Sequence, residues 1–204
     1  MQDTFSQYAE DLQVWEVVKD IPNGRVLDIG AWNYETFSNS RKLILAGWEA
    51  VLIEPSPGPL RDLAREYHRN LRVRVVGAAV TVQGGLVDLA ITDDAVSQPH
   101  ASDRIQGWLD SGGFFGRVTF PALSMEQVFN SFGGDFELVS IDTEGESVDL
   151  FAEMIRIGPR PRCVIVEHDN RIVELNQYAE AANYRQLTIN GTNWIGVWQG
   201  KREW

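Results

Sequence analysis

Three short acidic segments carry the residues best suited to chemistry: Asp28-Ile29-Gly30, Glu54-Pro55-Ser56 and Asp142-Thr143-Glu144-Gly145. Each ends or follows an apolar run, at residues 25–29, 49–54 and 137–142. Carboxylates held at such ends can accept hydrogen bonds from hydroxyls, take a proton, or face a cationic centre. Asp142 and Glu144 stand two positions apart, close enough for mutual repulsion to raise one of their pKa values. His168 follows the apolar run 162–167 and is a third candidate base, about even with a plain loop histidine; His68 and His100 have weaker claims. The structural alternative is that these acids serve the N-termini of the helices that follow, as Glu146 also could.

In an open doubly wound sheet, ligands bind beyond the carboxyl ends of the strands, where strand order reverses. The three acidic segments should therefore meet in one crevice. Glu54, at the end of a second strand, suits the hydroxyls of an adenosine ribose, as it would in a nicotinamide-dependent oxidoreductase. The first loop separates the two readings. A dinucleotide needs two further glycines after the first, whereas this loop reads Gly30-Ala31-Trp32-Asn33-Tyr34-Glu35. Such a loop suits a ligand without a pyrophosphate. S-adenosylmethionine fits, with adenosine at Glu54, its amino-acid end near Gly30 and its sulfonium among acidic walls. Besides Asp28, Glu54 and Asp142, the residues expected to line that crevice are Gly30, Ala31, Asn33, Ser38, Asn39, Pro55, Ser56, Ala78 and Ala79. A non-catalytic binding protein of the same fold is the remaining alternative.

The elements that must position these residues alternate in type. Apolar runs of strand length at 25–29, 49–54, 71–76, 137–142 and 162–167 are separated by helical periodicity at 38–46, 60–68, 124–132, 146–157 and 172–182. That alternation predicts βαβ units and a mostly parallel, doubly wound α/β sheet. An amphipathic helix is expected over residues 5–19, with Tyr8, Leu12, Trp15 and Val18 on one face. Residues 85–91 read as an extra strand. Residues 184–189 and 194–198, joined by Asn190-Gly191-Thr192-Asn193, read as a closing antiparallel pair. Residues 95–115 show no periodicity and hold Trp108 and Phe114, the pattern of a lid or substrate loop.

The chain has 204 residues, enough for one domain, and neither repeats nor a linker divide it. Its formal net charge of -11 argues against non-specific nucleic-acid binding. The single cysteine, Cys163, precludes an internal disulfide and reads as a core filler. The start lacks signal-peptide character and no run is long enough for a membrane helix, so a reducing cytoplasm is the default expectation. Asp142, Glu144, Glu167, His168 and Asp169 could ligate a metal, but no spacing is diagnostic, so none is expected. The expected partner is a small molecule or glycan, with neither nucleic acid nor membrane; a homodimer stays open.

The chain resembles the FkbM-type S-adenosylmethionine-dependent methyltransferases over most of its length. Ser6-Gln7-Tyr8-Ala9-Glu10-Asp11 matches the family's opening motif, and Asp28-Ile29-Gly30-Ala31 with Ser38-Asn39-Ser40 its first loop. Gly47-Trp48 and Ile53-Glu54-Pro55 match at the second strand, Ile141-Asp142-Thr143-Glu144-Gly145-Glu146 the most specific motif, and Val166-Glu167 the late pair. Trp32 and Tyr34 depart from the family's smaller residue and glycine. The resemblance implies a Rossmann-like methyltransferase fold and, most often, O-methylation of sugars or natural products.

Overall fold

The computed structural model describes residues 4–92, 114–143 and 145–200. A seven-stranded sheet has the order β3-β2-β1-β7-β8-β10-β9. It is built from β1 (Arg25–Ile29), β2 (Glu49–Ile53), β3 (Val73–Val76), β7 (Leu138–Ile141), β8 (Cys163–Glu167), β9 (Tyr184–Ile189) and β10 (Asn193–Trp198). The first five of these strands run parallel, and β10 is antiparallel to both β8 and β9. This is the predicted α/β architecture with its closing antiparallel pair. A smaller sheet of β4 (Ala79–Val80), β5 (Gly85–Thr92) and β6 (Phe114–Leu123) has the order β4-β6-β5. The sequence reading found β5 but not its partner β6, because β6 lacks alternation. The expected lid spanned residues 95–115. Residues 95–113 of it lie outside the described residues, and 114–115 open β6.

Helices cover both faces of the main sheet, so its central strands are apolar on both sides. On one face, α1 (Glu10–Val18), α2 (Arg41–Leu45) and α3 (Pro57–Tyr67) pack Val14, Val18, Leu43, Leu63 and Tyr67 onto Val26, Leu52, Leu138 and Ile165. On the other, α4 (Met125–Phe132), α5 (Ser147–Ile157) and α6 (Ile172–Ala181) pack Val128, Phe151, Met154 and Leu175 onto Leu27, Ile53, Val139 and Val164. Turn chemistry sets several ends: α3 begins on Pro57, α4 on a Ser124–Gln127 capping box, and α5 stops at Gly158 with φ 126°. Cys163 is fully buried, and burial pushes its thiol up to about 12, consistent with a core filler. Among the described residues no helix is long and apolar enough to cross a membrane.

The first helix departs from expectation. It starts at Glu10, because the Asp11 carboxylate accepts from Thr4 Oγ1, Phe5 N and Ser6 Oγ and folds residues 4–9 into a turn. Its buried residues are Glu10, Asp11, Val14 and Val18, with Trp15 partly buried against the same core and Tyr8 exposed. Glu10 is fully buried and reaches the hairpin at the far end of the chain: Oε1 accepts from Asn190 Nδ2 at 2.8 Å and Asn193 Nδ2 at 2.9 Å, while Oε2 accepts from Tyr8 N. Burial opposes its charge, yet the bond from Asn193 and its fellow donors hold the carboxyl below its ordinary pKa of 4.5. A lowered folded-state pKa means stability present at neutral pH and lost as pH falls through it. Glu10→Gln should therefore cost ~1.5–3 kcal/mol in urea unfolding at pH 7, and the gap to wild type should narrow on acidification below 4.5. A gap that stays constant with pH would remove the charge from the clasp.

Candidate active site

The parallel register aligns the ends of the strands. Ile29 pairs with Ile53 on one side and Ile141 on the other, and Ile141 pairs with Val166. The next row at the carboxyl edge is therefore Glu54, Gly30, Asp142 and Glu167, and Asn193 pairs with Glu167. The three acidic segments of the sequence thus meet at one edge, where strand order reverses about β1 and β7.

Gly30 lies at the centre of that row. A Cβ there would sit 1.8 Å from the Asp142 carbonyl oxygen, and φ is +79°, so only glycine fits. Gly30 N and Ala31 N both donate to Ile53 O, at 2.9 and 3.2 Å, and Asp142 N donates to Ile29 O at 2.9 Å. The loop then turns away through Trp32, at φ 39°, whose ring stacks on Phe37 with centroids 5.8 Å apart. Asn33 shapes this loop, accepting from Glu35 N and Thr36 N. The side-chain carbonyl of Asn33, a residue expected to line the crevice, thus fixes the turn.

Glu54 is 4% exposed. Oε1 accepts from Ser56 N at 2.7 Å and Oε2 from Trp32 N at 3.0 Å. Burial raises its pKa, the Ser56 and Trp32 donors lower it, and Asp28 raises it further by like charge. Pro55 and Ser56 carry the chain from β2 into α3. Ala78 and Ala79 are buried at the exit of β3, beside the same edge.

Asp28, Ser38 and Asn39 take internal roles. Asp28 is 3% exposed within β1 and accepts from Ser40 Oγ at 2.5 Å. Asn39 Nδ2 donates to Ser140 Oγ at 3.0 Å, and Ser38 Oγ accepts from Arg41 N. These side chains knot the first loop to β1 and β7 from beneath. Sequence reasoning missed Ser140; the available signal was a lone hydroxyl within Leu138-Val139-Ser140-Ile141.

Asp142 is half-buried at the edge. Glu144 lies outside the described residues. Glu146 stands at the start of α5, and its Oε2 accepts from Val82 N instead of capping the helix. His168 is 6% exposed, with Nδ1 accepting from Asn170 N at 3.2 Å and Nε2 3.3 Å from Asn190 O. Both ring nitrogens thus face backbone partners. Among the described residues no three His, Cys, Asp or Glu side chains gather as a metal would require.

This sheet order and edge define the Rossmann-like methyltransferase fold. Solved structures share it: a precorrin-6y C5,15-methyltransferase from Geobacter metallireducens (TM-score 0.51, 11% identity, covering 95% of this chain and 88% of that one). The S-adenosylhomocysteine-bound Podospora anserina methyltransferase PaMTH1 is equally similar (TM-score 0.52, 11% identity, covering 96% and 80%). The sequence model of the methyltransferase FkbM domain matches residues 28–186, and the chain belongs to that family. No curated protein matches it significantly.

Burial raises Asp28 from 3.8 to about 6, against hydrogen bonds from Ser40 and Ser140. A raised carboxyl pKa means that stability is present at low pH and lost as pH rises between the unfolded and folded values. Wild-type stability should fall by up to ~3 kcal/mol across that interval. Asp28→Asn should flatten the fall, measured by urea unfolding between pH 4 and 8. An identical slope in the variant would clear Asp28 of the cost.

Proposed function

We propose that this methyltransferase takes its methyl group from S-adenosylmethionine and delivers it to a hydroxyl of a sugar-like or natural-product-like small molecule. The observation that carries the reading is the edge row in which Gly30 stands between Glu54 and Asp142. The site's chemistry fits the donor. Each Glu54 oxygen has one backbone donor and keeps acceptor capacity for a ribose hydroxyl. The side-chain-free approach at Gly30 leaves backbone for the amino-acid end. Two buried carboxylates, Asp28 and Glu54, give the crevice a negative field suited to a cation.

When bound, the donor supplies an electrophilic methyl group on a sulfonium. Everything else falls to the chain. Glu54 fixes the nucleoside, and the loop from Gly30 to Ser38 walls the crevice. Asp142, fixed by its N–H bond to Ile29 O, orients the acceptor hydroxyl and takes its proton on a carboxylate oxygen. Glu144, two residues on, is the alternative base. Holding the two reactants in line supplies most of the rate.

Isothermal titration should show binding of S-adenosylhomocysteine and none of NAD; the reverse would overturn the reading. Glu54→Gln keeps one acceptor oxygen and should weaken S-adenosylhomocysteine ~10–100-fold, the worth of a hydrogen bond to a charged group. Unchanged affinity in the folded variant would take Glu54 out of the site.

Asp142→Asn keeps shape and removes charge. Turnover should fall ~10²–10⁴-fold with donor affinity little changed, as loss of a general base requires. Normal turnover would move the role to Glu144, and a parallel loss of affinity would make Asp142 a donor-binding residue.

A further inference from the structure

The opposite, amino-terminal corner of the sheet carries a feature that methyl transfer does not use. Residues 61–74 hold five arginines, Arg61, Arg65, Arg69, Arg72 and Arg74, against Asp62 and Glu66. That is a net charge of +3 in a chain whose total is -11. Both acids are already paired, Asp62 with Arg61 at 2.9 Å and Glu66 with Arg41 at 2.6 Å. Among the described residues no carboxylate forms an ion pair with Arg65, Arg69, Arg72 or Arg74, and all four are exposed. They flank β3, the edge strand of the main sheet.

Between Arg69 and Arg72 the turn holds Leu71 wholly in solvent, 100% exposed. The turn is fixed, not frayed. Asn70 N donates to Tyr67 O at 2.9 Å, Arg72 N to Asn70 Oδ1 at 3.1 Å and Val73 N to Asn70 O at 3.0 Å. Arg72 Nη1 also donates to Gly47 O at 2.8 Å, anchoring the turn to the loop after α2, whose last residue, Leu45, is 62% exposed. Beside the turn is a cavity of about 430 Å³ lined by Leu71, Arg72, Arg74, Arg25, Phe132 and Phe136. Arg74 lies over Phe132, 5.6 Å from the ring centroid.

From this we infer that the β3 corner docks on an anionic lipid surface, with Leu71 entering the headgroup layer and Arg65, Arg69, Arg72 and Arg74 meeting lipid phosphates. An exposed aliphatic tip ringed by unpaired arginines is complementary to a negatively charged interface. The cavity gives one headgroup room beside Arg72 and Arg74. The acids nearest the cavity, Glu49 and Asp135, are both paired with Arg25, and screening confines the repulsion from acids farther away to about a Debye length, ~8 Å at physiological salt. Nucleic acid is the lesser fit, because base stacking needs free aromatic faces, and here Phe132 is covered by Arg74. The docked face is the amino edge, which leaves the carboxyl-edge crevice turned away from the lipid.

Flotation of the full chain with vesicles tests this. The chain should float with phosphatidylserine–phosphatidylcholine vesicles and remain unbound with phosphatidylcholine alone. Arg69→Ala and Arg74→Ala should each lower partitioning about fivefold, and Leu71→Asp should abolish it. Titration of the same variants with S-adenosylhomocysteine should match wild type, which separates failure here from failure of the donor assignment. The inference is overturned by equal binding to both vesicle types, by no binding to either, or by variants that float like wild type. Tighter binding of a single-stranded RNA oligonucleotide than of anionic vesicles overturns it as well.

Discussion

The contact on which the site depends is the passage of Gly30 against the Asp142 carbonyl, too close for any side chain. Two parallel strands, β1 and β7, leave the sheet side by side here, and their loops must part. The positive φ of Gly30 lets the first loop bend over Ile53 O while Asp142 stays bonded to Ile29 O. From that crossing the rest follows. Trp32 N is brought to Glu54, Ser56 N closes the other carboxylate oxygen, and Glu54 is held without a cation. The backbone N–H groups of Trp32 and Ser56, with the Ser56 side chain, stabilise the charge against burial. That leaves the crevice net negative, which a cationic ligand would relieve.

Beneath the crevice, Asp28 adds a second buried carboxylate whose ionisation is resisted by burial. Its partner Ser40, with Ser38, Asn39 and Ser140, forms a layer of short polar side chains under the first loop. The acid at this position supports the first loop through Ser40. Its charge still reaches Glu54, whose pKa it raises.

The opening motif has a similar explanation. Asp11 folds the segment before α1, and Glu10 fastens that helix to Asn190 and Asn193, some 180 residues away. The clasp fixes the β9–β10 hairpin whose Asn193 faces Glu167 at the end of the edge row. It also brings Asn190 O to His168. Clasp, hairpin and the end of the edge row are therefore one mechanical unit.

By itself the sequence determined the alternation of strands and helices, because strands buried on both faces must be continuously apolar and helices must show a 3.6-residue period. It placed Asp28, Glu54 and Asp142 at strand ends and Gly30 where a side chain could not stand. It also indicated the antiparallel close, since a four-residue link permits little else. Only the tertiary structure decided what each acid does. Asp28 and Glu54 look alike in one dimension, yet one lies within a strand under Ser40 and the other sits on the edge between two backbone donors. Glu10 is only a letter of the opening motif in the sequence; Asn190 and Asn193, arriving from the far end of the chain, are what hold its carboxylate inside. His168 follows a strand in the sequence, and only the fold sets its ring between Asn170 N and Asn190 O. β6 was illegible because its pairing with β5 spans a long separation in sequence, and such register is set by the partner strand rather than by local pattern.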